Sequence, residues 1–296
     1  MASVTLLDGA PALGPLYAKA AIGAALPGGR AGTLPDTELV REDVTVDLGH
    51  LAEYARVCGF ALDGALPLTY PHVLAFGLQI ALMADRSFPL ALPGLVHVGN
   101  RITAARAIDP GERLRIAVHA ENLAAHPKGA RVDLVAHVEA GGEPVWRGRS
   151  TYLARGARAP EGEPAEPEPP AVEGGPPSAV WRVPGDTGRR YARASGDVNP
   201  IHLHPLTARA FGFPRAIAHG MWTAARAVAA LQGRLSAAAQ FDVAFRKPLL
   251  LPSTVELRTR QAGPGGWDLA VASRSGHEHL RAAVRTTSPG RLRRSA

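Results

Sequence analysis

Two stretches of the chain are apolar on most sides for more than two helical turns, Pro71 to Met83 and Ala218 to Leu231. A helix without a polar face is expected to be buried, here wrapped by a sheet. Each stretch is followed by short segments in which apolar and polar positions alternate. In the first half these are Leu114 to Ala120, Arg131 to Val138 and Pro144 to Leu153; in the second, Gln240 to Phe245, Thr254 to Arg260, Trp267 to Ala272 and Leu280 to Arg285. Alternation at period two predicts antiparallel strands with one covered face. Asp109-Pro110-Gly111 and Leu251-Pro252-Ser253 supply matching turns ahead of corresponding strands. The expected fold class is α+β: one buried helix followed by a curved antiparallel sheet, built twice.

The two series are separated by a composition break at 156–178, where Pro, Glu and Gly dominate and apolar periodicity disappears. That composition predicts an extended, polyproline-like linker between units 1–155 and 179–296. The units can be laid over each other. Val46 precedes Tyr54 and Val183 precedes Tyr191 by the same spacing, and each tyrosine is followed by a histidine, His72 or His219, that leads into the apolar helix. A chain of 296 residues is ample for two such cores.

Charge narrows the class of partner. The net charge is +7, and apart from Lys19, Lys128 and Lys247 the 33 cations are arginines. They are scattered, only Arg291-Leu292-Arg293-Arg294 is dense, and no nucleic-acid-binding pattern accompanies them, so nucleic acid is not an expected partner. A diffuse positive potential equally suits a phosphate-bearing or acidic carrier. Cys58 is the sole cysteine, which excludes an intramolecular disulfide, and it reads as a small apolar residue. Asp8 and Lys19 interrupt the Ala-rich start, and no apolar run approaches the ~20 residues of a membrane span, so a cytoplasmic protein is expected.

The halves differ where chemistry is expected. His219 lies 28 positions beyond Tyr191, whereas His72 lies 18 beyond Tyr54. The extra length holds Asp197-Val-Asn199-Pro200-Ile-His202, and Phe60 to Pro67 in the first half has no equivalent Asp and His. Gly196 permits an unusual backbone angle, and Asn199-Pro200 is expected to fix a turn and discourage helix. A carboxylate and an imidazole sharing one water can remove one proton and deliver another. The blander alternative is that Asp197 and Asn199 only cap local turns and His202 is a satisfied loop histidine. Against that, the sibling half is expected to make the same fold without these groups. If a helix begins at His219-Gly220-Met221, the Gly220 amide is an unsatisfied donor at the positive end of the dipole, suited to an oxyanion. A helix start with a glycine for tight packing explains the same residues. His277 and His279 read as a solvated hairpin rather than a metal pair, His97 as core, and His204 as facing away from His202 on an extended segment. No metal site is expected.

The segment from Tyr191 to His202, with Phe211-Gly-Phe-Pro214 and Ile217-Ala-His-Gly-Met221, resembles the hydratase-2 signature of MaoC-like (R)-specific enoyl-thioester hydratases and dehydratases. Over Val46 to Leu153 and Val180 to Val284 the chain resembles double-hotdog 3-hydroxyacyl-thioester dehydratases of the actinobacterial type. The resemblance implies a hotdog fold in each half, joined edge to edge, with the second half catalytic and the first, through Val73 to Met83, accommodating an acyl chain. It implies that Asp197 and His202 hold the reacting water, that the Gly220 amide polarises the thioester carbonyl, and that Asn199, His219 and Met221 contact substrate, Asn199 also orienting the loop. Some members carry a serine where this chain has Val228. The substrate is then an acyl-CoA or acyl carrier protein thioester, without a metal or redox cofactor, and a homodimer of double-hotdog chains is a further expectation. A hotdog thioesterase and a non-catalytic acyl-thioester binding subunit remain the rival readings.

Overall fold

The computed structural model describes residues 3–25, 31–287 and 292, so the basic tail identified in the sequence lies outside them except for Leu292. A short strand β1 (Ser3–Leu6) and helix α1 (Leu13–Ala25) precede the first repeat. That repeat runs β2 (Thr37–Val44), α2 (Leu48–Cys58), α3 (Tyr70–Ala84), β3 (Leu95–Ala104), β4 (Leu114–His126), β5 (Gly129–Ala140) and β6 (Glu143–Arg155). The second runs β7 (Ala179–Val183), α4 (Thr187–Ser195), α5 (Pro200–Leu203), α6 (Pro205–Ala210), α7 (Gly220–Ala229), β8 (Ala239–Phe245), β9 (Ser253–Gln261), β10 (Trp267–Ser273) and β11 (Glu278–Thr286).

The eleven strands among the described residues form one sheet in the order β1-β2-β4-β5-β6-β3-β8-β11-β10-β9-β7. Outward from the β3–β8 seam the order is the same in both directions, so the repeats are related by a pseudo-twofold axis and joined edge to edge. At the seam Gly99 faces Ala244 and Ala104 faces Ala239 in an antiparallel ladder. The only parallel pairing described is β1 with β2. Joining the repeats in this way covers the β3 edge of one and the β8 edge of the other, and leaves β1 and β7 as the outer strands of the sheet.

The apolar helices are buried as expected, α3 along most of its length and α7 at eight of its ten positions. The tyrosines made equivalent by their spacing, Tyr54 in α2 and Tyr191 in α4, meet near the pseudo-twofold axis with ring centroids 6.2 Å apart. Both preceding helices end on a glycine in the left-handed region, Gly59 at φ 79° and Gly196 at φ 76°, where other residues are strained.

Besides the strands β1, β2 and β7, which alternation also left unmarked, three features depart from the sequence-based expectation. The first is β3, which alternation did not reveal: it lies between β6 and β8, and two of its polar residues find partners on neighbouring strands. Asn100 donates to Ser150 at 2.9 Å, and Arg101 pairs with Asp242 of β8. The second is the linker, which is irregular but is not a free spacer. The Pro160 carbonyl accepts from Ala125, Glu166 pairs with Arg149 at 2.7 Å and also with Arg101, and Glu168 pairs with Arg246 at 2.6 Å. Its acidic residues therefore strap the arginines of both repeats across the seam. The third is that Asn199-Pro200 opens α5 instead of preventing helix. Asn199 is the N-cap and Pro200 takes a first-turn position, where a missing N–H costs nothing. Among the described residues no helix is long and apolar enough to cross a membrane.

Candidate active site

The ten-residue excess of the second repeat folds into the loop after α4 and the short helices α5 and α6, laid against the start of α7. α4 carries Gly188 where any Cβ would run into the His202 carbonyl, so that close approach depends on glycine. Asp197 follows the αL turn at Gly196. Its Oδ1 accepts from the Asn199 amide at 3.2 Å, and its backbone carbonyl is 2.9 Å from His219 Nε2. His202 ends up over His219, the ring centroids 3.7 Å apart in a stack.

The backbone partners decide the proton positions. His202 Nδ1 lies 2.9 Å from the Ile217 carbonyl, which only accepts, so Nδ1 carries the hydrogen and Nε2 presents its lone pair. By the same logic His219 Nε2 donates to the Asp197 carbonyl, leaving Nδ1 bare and buried with no partner among the described residues. Burial pushes the His202 pKa down, only partly countered by the Asp197 charge and the Ile217 carbonyl. Burial likewise takes His219 down to about 3. For Asp197 burial acts upward, but His219, His202, the Asn199 amide and the Tyr17 hydroxyl together outweigh it and hold the carboxyl below its usual range. At neutral pH the site is thus a carboxylate beside two neutral imidazoles.

Gly220 is the first residue of α7, with His219 as its N-cap, so its amide is one of the N–H groups that have no partner within the helix. It is partly exposed, whereas His219 and Met221 on either side are buried. A Cβ on Gly220 would come within 3.0 Å of the Phe245 ring, so the approach to this helix start is narrow.

The structure therefore brings Asp197, His202, His219 and the start of α7 together. Asn199 is spent on local geometry, accepting from Ile201 and capping α5 as the blander reading had it. Met221 belongs to the hydrophobic core. His204 does turn away from His202, though by capping α6 on its exposed side and not by alternation along a strand. His277 and His279 lie at the β10–β11 hairpin. Asp197, His202 and His219 have ligand-capable atoms within 4.8 Å of one another. The stacked rings are only 27° from parallel, so their in-plane lone pairs do not converge, and each has one nitrogen committed to a carbonyl. This geometry suits a held water better than a tetrahedral cation.

Sequence reasoning missed the groups that the first repeat and its leader contribute. The Tyr17 hydroxyl of α1 donates to Asp197 Oδ1 at 3.1 Å. On α3, His72 and Gln79 are buried, so that helix is not the uniformly apolar wall its sequence predicts. His72 stacks with His97 at 6.0 Å, His97 with Tyr152 at 4.7 Å, and His97 meets Phe245 edge-on at 5.0 Å. Burial carries His72 down to about 4 and His97 to about 3, with the Asp197 charge opposing in both. The signal available was the pair His72 and Gln79, seven apart and hence on one helical face. At the other end of α7 an apolar groove of about 300 Å³ lies between the repeats, lined by Phe60, Leu66, Leu68, Trp146, Val228 and Leu235 among others.

A family model described as MaoC like domain matches residues 171–280. The 3-hydroxyacyl-thioester dehydratase X of Mycobacterium tuberculosis is 39% identical over 257 residues, 86% of this chain and 91% of the relative. The crystal structure of HtdX from M. tuberculosis is similar at a TM-score of 0.75 and 37% identity, covering 84% of this chain and all of that one, 100%. A MaoC-like dehydratase from Phytophthora capsici shares the fold at a TM-score of 0.68 and 20% identity, over 86% of this chain and 96% of that one.

Proposed function

Since the chain belongs to the MaoC-like dehydratase family, we propose that it removes water reversibly from (R)-3-hydroxyacyl thioesters, and hydrates trans-2-enoyl thioesters, in fatty-acid metabolism. The observation that carries this reading is the pairing of ionised Asp197 with neutral His202, its Nε2 free, beside the unpartnered first amide of α7. In hydration the Gly220 amide and the α7 dipole draw charge onto the thioester oxygen, which makes C3 electrophilic. Asp197 and His202 hold the water, and His202 Nε2 takes one of its protons as the oxygen bonds to C3 and the C2=C3 electron pair shifts toward C2. The imidazolium returns that proton to C2, so that the H and OH of one water are added. Dehydration retraces these steps. The thioester itself supplies the electron sink, so the reaction calls for no metal or redox cofactor.

The carrier in this reading is coenzyme A or acyl carrier protein, polyanions toward which a chain of net charge +7 is attracted. The acyl chain extends toward the groove that both repeats line, its apolar walls matching an alkyl tail.

The deciding assay follows loss of enoyl conjugation in trans-2-enoyl-CoA over several chain lengths. Asp197→Asn and His202→Ala should each lower kcat by about 10²- to 10⁴-fold while keeping the wild-type circular dichroism. Turnover that survives both substitutions overturns the reading, and free thiol released from an acyl-CoA would identify a thioesterase. A clear preference for four-carbon substrates would remove the acyl role of the groove.

A further inference from the structure

The two oxygens of Asp197 have different surroundings. Oδ1 accepts from the Tyr17 hydroxyl at 3.1 Å and from the Asn199 amide at 3.2 Å, which occupies its lone pairs. Oδ2 is 3.7 Å from His219 Nε2, beyond a hydrogen bond, and is the oxygen left for a reacting water. One of the two bonds that fix the carboxylate plane is local to the loop. The other comes from a residue 180 positions away in sequence.

Tyr17 stands on α1, a helix that belongs to neither repeat and has no counterpart ahead of β7. Two glycines make room for this segment. A Cβ on Gly196, the residue before Asp197, would come within 2.6 Å of Leu13, and one on Gly77 of α3 within 3.2 Å of Pro11. The segment therefore sits on the catalytic loop and on the core helix of the first repeat together. Burial, and then the Asp197 charge, push the Tyr17 hydroxyl well above the usual tyrosine range, so it remains a donor at any working pH.

From these contacts we propose that Tyr17 is a positioning residue of the site: it locks Oδ1 of Asp197 and leaves Oδ2 to face the water. The leader segment thereby becomes part of the catalytic apparatus. This inference rests on the acid/base reading of Asp197.

The test is the pH dependence of kcat/KM for enoyl-CoA hydration in Tyr17→Phe, which removes only the hydroxyl. Loss of a hydrogen bond to a charged group predicts a fall in kcat of roughly tenfold or more. KM should stay within about twofold, since the interaction is with the catalytic carboxylate and not with substrate. The acid limb of the profile should move to higher pH, because the carboxylate loses one of its donors. Leu13→Ala, which loosens the seat of α1 and leaves the hydroxyl in place, separates positioning from packing. If both variants lower the melting temperature alike and neither moves the limb, α1 only packs and the proposal fails. Should Tyr17→Phe fold poorly, 3-fluorotyrosine at position 17 keeps the ring and strengthens the donor, and the limb should then move to lower pH; an unmoved limb is equally fatal. Wild-type kinetics in Tyr17→Phe with an inactive Asp197→Asn overturns the role of Tyr17 alone. Full activity in Asp197→Asn overturns the acid/base reading and this inference with it.

Discussion

Which nitrogen of each imidazole is committed decides what a buried histidine can do here. His202 and His219 stack face to face, yet His202 spends Nδ1 on Ile217 and keeps Nε2, whereas His219 spends Nε2 on Asp197. The first keeps a free lone pair beside the loop, and the second holds the backbone of Asp197. Burial keeps His219 and His97 neutral down to about pH 3 and His72 to about pH 4, while in the unfolded chain all three ionise near 6.5. Their folded values are depressed, so the stability they confer is fully present above about pH 6.5 and is lost as pH falls toward the folded values. Each contributes a slope of at most ~1.4 kcal/mol per pH unit in that window. Urea midpoints should therefore fall steadily from pH 7 to pH 5, and a flat profile would contradict the buried, neutral assignment. His202, also depressed by burial, acts in the same direction.

At the scale of elements, short helices and an irregular strap do what the hydrophobic pattern did not foretell. Asn199-Pro200 reads as a turn in isolation because proline disfavours helix one residue before it. In the fold the same pair starts α5, with the asparagine oxygen capping the Ile201 amide. Residues 156–178 read as a spacer because nothing apolar recurs there. Their glutamates find partners only after strands from both repeats have set Arg101, Arg149 and Arg246 along one face. These pairs are part-exposed, so each contributes little to stability, roughly 0–1 kcal/mol. Replacing Glu166 and Glu168 together by Gln should shift the melting temperature only slightly but speed limited proteolysis within 156–178. Unchanged cleavage would show that the strap is held by its backbone alone.

Considered as a whole, the molecule is an asymmetric pair of similar repeats sharing one sheet. Neither repeat is self-sufficient at the seam. Trp222 of α7 donates its indole N–H to the Val57 carbonyl of α2 at 3.0 Å, and Gln232 donates to the Ala61 carbonyl at 2.8 Å. Residues 179–296 expressed alone would expose the β8 edge and these contacts at once. That fragment should aggregate or pair with itself through β8. A monomeric, cooperatively folding fragment, read by light scattering and calorimetry, would show that the seam is not needed for stability. The polar loop occurs in the second repeat alone, and the first repeat supplies the buried His72, Gln79 and Tyr152.

The sequence by itself determined the repeat, the two core helices, seven of the strands and the position of the Asp197 to His202 loop, because burial periodicity and local turn chemistry are written in neighbouring residues. It left β1, β2, β3 and β7 unmarked, and β3 in particular pairs polar groups with partners distant in the chain, as the Asn100 amide does with Ser150 and Arg101 with Asp242. Only the tertiary structure decided which imidazole nitrogen is free, where the linker lies, and that Tyr17 reaches Asp197. These depend on close approach between segments whose separation in sequence carries no periodic signal, and the site is completed by that approach rather than by the motif alone.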